Sequence, residues 1–262
     1  MDHSSVIEGL RKELDEIPFE ESSLIRFIGK PIMERGFFPG GNGLFEGKAA
    51  AQFPFGGTLI LGSNFGCASK FAGHDGRLIT QDETSNTTWA PLRRLLAGAG
   101  VDPRECFFTN AWPCLHEGES NTLGDLMKDW LANASLMKNC SKFFARTCAD
   151  MKPSLIVALG PGPAAFMANT WPRELVGWRV NNIGGMDSTP FESVQIEGVS
   201  HRTVCTAVVH PCYQHINAKR RRSPYQNAEG EIQLIKEAHD LSQSLVQKAK
   251  TSSTLQKSHC RA

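Results

Sequence analysis

The sequence lacks the long apolar segments that mark membrane and exported proteins. No apolar run among its 262 residues approaches the roughly 20 residues that span a bilayer. The opening MDHSSVIEGLRKELDE is too charged for the apolar region of a secretory signal. The sequence also has no excess of one charge, with 28 Lys and Arg against 27 Asp and Glu, so its net charge neither demands nor excludes a polyanionic partner. We therefore expect a soluble, intracellular, cytoplasmic protein without membrane association.

Metal-binding signatures are absent as well. The chain has eight cysteines but no CxxC, which disfavours a zinc knuckle or a thioredoxin-type redox site. His116-Glu117 does not extend to HExxH, and no Pro-Cys-x-x-Cys is present, which disfavours a zinc hydrolase or a zinc deaminase. We predict no metal site and no cofactor, and nothing in the sequence indicates a protein partner.

What the sequence does contain is a regular alternation of apolar runs and helical patterns. The composition is that of an ordinary globular protein, with 40% hydrophobic residues. Short apolar runs predict buried strands at 59–61, 107–110, 155–159 and 204–209. Helical spacing predicts helices at 6–17, 89–96, 123–149 with a break near Asn139, 164–167 and 228–246. This pattern predicts one α/β domain over residues 1–250, a three-layer α/β/α arrangement around a mostly parallel four-stranded sheet, followed by a flexible tail at 251–262.

The residues that follow the predicted strands are the first candidates for a functional site, because ligands bind outside the carboxyl ends of parallel strands. Asn64 follows the first strand between glycines, Asn110 ends the second, and His210-Pro211 follows the last. These side chains can orient a water molecule or read the edge of a heterocycle, and none is a strong base. The set favours a reaction driven mainly by departure of a leaving group. An alternative is that Asn64 only satisfies a turn and His210 only packs or caps.

Four segments in order along the chain resemble the motifs of the uracil-DNA glycosylase superfamily. Gly62-Ser63-Asn64-Phe65-Gly66 resembles the first catalytic motif, with Phe65 in place of its usual proline. Thr109-Asn110 with Trp112-Pro113-Cys114 resembles the strand-end asparagine segment, and 152–160 resembles the third strand. His210-Pro211-Cys212 resembles the second catalytic motif, with Cys212 in place of the usual serine. The resemblance spans residues 58–222 and forms the predicted domain core.

The resemblance implies a DNA glycosylase that acts on uracil or another deaminated base in base-excision repair, with DNA containing deaminated bases as its partner. Such an enzyme flips the damaged base out of the duplex before cleaving its N-glycosidic bond. A DNA-bound protein of this kind would be found at the nucleoid or in the nucleus. Asn64 and His210 are then the expected catalytic residues. The residues expected to bind the base are Gly62, Phe65, Phe71 as the stacking ring with Trp89 as its rival, and Asn110.

A basic run follows the second motif and is the candidate DNA contact. The residues of this run, Lys219, Arg220, Arg221 and Arg222, are expected to contact phosphates, since neutralised phosphates supply salt-dependent affinity. Tyr213, or else His215 or Ile216, is expected to fill the gap left by the flipped base. The alternative is that the run is only a solvated surface.

Two other function classes stay open at this point. Gly160-Pro161-Gly162-Pro163-Ala164-Ala165 follows a strand and opens a helix, which fits a variant of the dinucleotide-binding fingerprint. A noncatalytic nucleic-acid or nucleobase binder on the glycosylase fold is the second alternative, favoured by Phe65 and by the lack of a carboxylate in the first motif. Cys114 and Cys140 fall where iron-sulfur members of the superfamily place two cluster ligands, but two thiolates cannot hold a four-iron cluster.

Overall fold

The apolar runs form the strands of a central sheet, and the helical patterns form the layers that cover it. The structure, a computed structural model, describes residues 3–16, 25–26, 55–64, 88–103, 106–116 and 123–259. The strands are β1 (Ile25–Arg26), β2 (Thr58–Gly62), β3 (Cys106–Asn110), β4 (Leu115–His116), β5 (Leu155–Leu159), β6 (Phe191–Gln195) and β7 (Arg202–Val208). The helices are α1 (His3–Glu16), α2 (Trp89–Gly98), α3 (Leu123–Ala132), α4 (Ala134–Met151), α5 (Pro161–Thr170), α6 (Ile183–Ser188), α7 (Gln214–Asn217) and α8 (Asn227–His259). Single 3-10 turns lie at Val176–Arg179, Pro211–Tyr213 and Ala218–Arg220.

The central sheet has five strands in the order β3-β2-β5-β7-β6, so the predicted number of four is wrong. β3, β2, β5 and β7 are mutually parallel, as predicted, and β6 pairs antiparallel with β7 at the edge. β6 has the sequence FESVQ, in which only Val194 is buried. The sequence does not predict it, because four of its five residues are only partly buried or exposed and it carries no continuous apolar run. A separate two-stranded sheet pairs β1 with β4.

Successive side chains of the parallel strands point to opposite faces of the sheet, and each face has its own core. In β2, Leu59 and Leu61 pack with α1, α3, α4 and α5, whereas Ile60 packs with α2 and α8. Full burial of such aliphatic side chains contributes about 1.5 to 3 kcal/mol each. Helices on both faces of a mostly parallel sheet confirm the predicted three-layer α/β/α architecture.

Two predicted helix boundaries differ from those in the structure. The segment predicted as a helix broken near Asn139 is divided at Asn133 instead. The Asn133 side chain accepts a 3.0 Å hydrogen bond from the backbone N–H of Leu136 and thereby caps α4. At the other end of the chain, α8 runs to His259, past both the predicted helix end at Val246 and the domain boundary placed at residue 250. No helix within the described residues has the length and apolar character needed to cross a membrane.

Candidate active site

The carboxyl ends of four parallel strands lie at one edge of the sheet, and the candidate residues follow these ends. Gly62 at the end of β2 is in register with Asn110 at the end of β3. Beyond the strands, the two backbones stay side by side, with Ala111 N–H donating to Gly62 O at 2.9 Å and Trp112 N–H donating to Ser63 O at 2.9 Å. Sequence positions far apart along the chain are thereby brought to one edge.

His210 stands at this edge two residues after β7. Its Nδ1 accepts from the backbone N–H of Cys212 at 3.4 Å and lies 2.9 Å from the Cys212 Sγ atom. Burial raises the pKa of the Cys212 thiol to about 11, so the thiol keeps its proton and can also donate to Nδ1. Burial lowers the pKa of His210 to about 4, so the ring is neutral near pH 7. A neutral imidazole whose Nδ1 accepts carries its proton on Nε2 and can donate from there.

A glycine makes room beside His210. Gly160, directly after β5, has a φ of +102° and donates its N–H to Val208 O at 2.7 Å. A Cβ atom at this position would lie 3.4 Å from the His210 Cβ in a backbone conformation that other residues rarely adopt. Gly160 thus lets the chain pass close to the imidazole.

The glycine-rich start of α5 does not support the dinucleotide-binding alternative. Gly162 is buried against Met127 of α3, and a Cβ atom there would meet the Met127 Sδ atom at 1.7 Å. Close packing against a side chain accounts for this glycine, so its place at the helix start does not indicate a pyrophosphate site.

Within the described part of the chain, three buried polar atoms without hydrogen-bond partners lie at the end of β3 or just after it. Thr109 Oγ1, Asn110 Nδ2 and Trp112 Nε1 have no hydrogen-bond partner within the described part of the chain. Asn110 is only 3% exposed. A buried donor left without a partner costs about 1 to 3 kcal/mol, and such groups are uncommon in native proteins. The Nδ2 group of Asn110 is therefore suited to donate to a ligand that accepts a hydrogen bond at this strand end.

Asn64 and Gly62 lie at the same edge as His210. Asn64 is half-buried and follows β2, while β5 is the strand between β2 and β7. Neighbouring strands lie about 4.8 Å apart, so about 10 Å separates the backbones of β2 and β7.

The expected stacking rings are not part of this edge as described. Phe65 and Phe71 lie outside the described residues. Trp89, the rival to Phe71, is 5% exposed and packs edge-on against Phe108 at 5.7 Å between ring centroids. Because Trp89 belongs to the core formed with α2 and α8, it is not available to stack on a base.

The residues that follow His210 divide into exposed and buried groups. Tyr213 is 51% exposed, and its ring lies 6.1 Å from the imidazole of His210. His215, Lys219 and Arg220 are exposed as well.

The prediction that Arg221 contacts phosphate is wrong. It is 2% exposed, its Nε atom pairs with Asp187 Oδ1 at 2.9 Å, and its Nη1 atom pairs with Glu231 Oε1 at 3.3 Å. A guanidinium enclosed by two buried carboxylates cannot reach DNA.

A cavity beside the His-Pro segment adds a basic residue that the sequence pattern did not single out. The cavity is open, holds about 570 Å³ and borders Pro211 and Cys212. Arg94 of α2, His215 and Lys219 line it, together with Glu229 in the first turn of α8. Arg94 could have been found from the helical spacing of 89–96, which turns it away from the apolar face formed by Leu92, Leu95 and Leu96.

The two cysteines that fall where iron-sulfur members of the superfamily place cluster ligands are buried thiols. Cys114 and Cys140 are both fully buried, and desolvation raises the pKa of each thiol. In the described ranges, no group of three or more His, Cys, Asp or Glu side chains is placed to hold a metal ion.

Comparison with known protein families agrees with this arrangement. The family model described as the uracil DNA glycosylase superfamily matches residues 48–231, which include every described residue of the candidate site. A search of curated proteins finds no match for the chain.

Proposed function

Because this chain belongs to the uracil DNA glycosylase superfamily, we propose that it hydrolyses the N-glycosidic bond of uracil or of another deaminated base in DNA. The observation that carries the proposal is the neutral His210, with its Nδ1 occupied, at the same sheet edge as the buried Asn110 Nδ2 atom, which has no partner among the described residues. A donor and a buried amide facing one strand-end space fit a small heterocycle that leaves with negative charge.

In the proposed reaction the bond between C1′ of the sugar and the base nitrogen breaks, and its electron pair leaves with the base. Negative charge then develops on the base while the sugar becomes oxocarbenium-like. His210 donates its Nε2–H to the oxygen on which that charge grows, and Asn110 pairs with the edge of the pyrimidine. Asn64 holds the water whose oxygen bonds to C1′, and the proton that the water loses leaves to solvent or to the departed base. The products are the free base and an abasic site.

DNA is the proposed partner because a stacked base must be flipped before this chemistry can reach it. Tyr213 and Ile216 are exposed apolar side chains on the segment after His210 and would fill the gap in the base stack. Lys219 and Arg220, with Arg94 across the cavity, would contact the phosphates on either side.

The decisive experiment uses oligonucleotides that carry uracil, hypoxanthine, xanthine or a thymine mismatch, in single and double strands. We expect the purified chain to leave alkali-labile abasic sites in at least one of them, and we expect Asn64→Ala to lose that activity. Asn169→Ala is a matched control, because Asn169 is an exposed residue near the end of α5 that donates to Ala165 O of its own helix. DNA binding without any abasic product would refute the glycosylase proposal and favour a noncatalytic binder.

A further inference from the structure

A buried polar network lies directly behind the His210 segment. Its centre is Glu231 of α8, which is fully buried. Glu231 Oε1 accepts from the backbone N–H of Val209 at 2.6 Å, and its Oε2 accepts from Gln214 Nε2 at 3.1 Å. Val209 precedes His210 and Gln214 follows it by four residues, so one carboxylate holds the segment on both sides of the imidazole.

Arg221 extends the network to the strand and to a second helix. Its Nη1 donates to the carbonyl of Ala207 at 2.7 Å and to Glu231 Oε1, and its Nε donates to Asp187 at the end of α6. Asp187 also accepts from the backbone N–H of Arg222 at 3.0 Å. The chain is thereby fixed at 207 and 209 before His210, and at 214 and 221 after it.

Fold stability alone does not account for such a network. Removing charges from water is costly, and well-packed apolar residues often replace a buried ion pair without loss of stability. An apolar replacement, however, cannot fix the direction of the Val209 N–H or of the Gln214 side-chain amide. The points fixed here flank the proposed hydrogen-bond donor to the leaving base.

We propose that Glu231 is a positioning residue for His210, acting through the Val209 amide and the Gln214 side chain, with Arg221 holding the carboxylate in place. The inference rests on the proposed glycosylase function. Glu231 touches no base and no sugar. It keeps the imidazole where its Nε2–H meets the charge that develops on the leaving group, and a small displacement of such a group is sufficient to slow catalysis strongly.

The primary variant is Glu231→Gln, which keeps the shape of the side chain. Its amide carries no charge and only one acceptor oxygen, so it can no longer accept from both the Val209 N–H and the Gln214 Nε2 atom, and it no longer pairs with Arg221 as an ion. We expect the single-turnover cleavage rate at saturating enzyme to fall by about 100-fold, with the dissociation constant for DNA changed by less than about threefold. Asp187→Asn is the matched control, because it also weakens a buried ion pair of Arg221 but has no hydrogen bond to residues 207–214.

A rescue variant separates positioning from a general loss of folding. In the double variant Glu231→Gln/Gln214→Glu, the donor and the acceptor are exchanged, so that residue 231 again accepts from the Val209 N–H and residue 214 accepts from residue 231. We expect most of the cleavage rate to return. A rate loss that is equal in Glu231→Gln and Asp187→Asn, or that is not restored by the exchange, would overturn the proposal.

Nuclear magnetic resonance tests the positioning role of Glu231 independently of the proposed glycosylase function. The amide proton of Val209 and the imidazole protons of His210 report the local geometry whether or not the chain cleaves DNA. We expect Glu231→Gln to shift both sets of signals and to speed hydrogen exchange at the Val209 amide, and Asp187→Asn to leave the imidazole signals in place. A wild-type chain that cleaves no substrate would refute the glycosylase function alone, whereas unchanged His210 signals in Glu231→Gln would refute positioning.

Discussion

The low pKa of His210 predicts that acid destabilises the protein through this one ring. The ordinary pKa of 6.5 applies when the chain is unfolded, and burial lowers the folded value to about 4. The folded state therefore favours the neutral ring. Its contribution to stability is fully present above about pH 6.5 and is lost as the pH falls from 6.5 through 4.

The size of the effect follows from the separation of the two pKa values. Each unit corresponds to about 1.4 kcal/mol, so the separation between 6.5 and about 4 amounts to between about 3 and 4 kcal/mol. Somewhat more than half of this loss should be complete by pH 5. For a chain of typical stability, near 5 to 15 kcal/mol, such a loss is easily measured.

The assay is urea unfolding in steps between pH 4 and pH 8 for the wild type and for His210→Asn. Asparagine can still accept the Cys212 N–H through its Oδ1 atom, so the turn after β7 keeps its cap. Carboxylates such as Glu231 titrate in both proteins and cancel in the difference between the two curves. We expect the wild type to lose up to about 3 kcal/mol more than the variant. A difference that stays constant over this range, or an NMR titration of His210 near pH 6.5, would refute the burial argument.

Two further predictions concern the basic run. Arg221→Ala should lower the free energy of unfolding by about 3 to 5 kcal/mol, because it leaves Asp187 and Glu231 buried without their cation. Arg220→Ala should change it by less than about 0.5 kcal/mol. Urea denaturation measures both variants, and equal losses would contradict the buried pairing. Lys219→Ala and Arg220→Ala should each flatten the dependence of log DNA affinity on log salt by about one unit without altering base preference. Anisotropy titrations at several salt concentrations test this, and unchanged slopes in both variants would place the DNA path elsewhere.

The sequence predicts the interior of the sheet well because burial on both faces leaves a direct trace in the residues. β2, β3, β5 and β7 are buried at every position except Arg202, and each contains a short apolar run that is recognisable without knowledge of its neighbours. β6 leaves no such trace, since only Val194 is buried and the polar residues Glu192, Ser193 and Gln195 interrupt any apolar run. The division between α3 and α4 was misplaced for a related reason: Asn133 and Asn139 look alike in sequence, and only the capping hydrogen bond to Leu136 distinguishes them.

The sequence predicts the candidate site only through the positions of residues that follow the strands. Asn64, Asn110 and His210 were chosen because they follow strands, and the parallel pairing puts those strand ends on one edge. Arg221 was misassigned because a run of basic residues does not show which member turns inward. That depends on Asp187 and Glu231, which lie on two other helices and approach Arg221 only in the folded chain.

The strand order also bears on when the chain can fold. β2 pairs with β5, which lies roughly a hundred residues further along the chain, and β5 in turn pairs with β7. During synthesis, β2 and β3 are made long before β5, the strand that pairs with β2 on its other side. Their apolar side chains therefore stay exposed during that interval. Pairings between such distant segments are slow, and the waiting intermediate is prone to aggregation. Any shortened form that stops before β7 would carry Asn64 after β2 and Asn110 at the end of β3 but would lack His210.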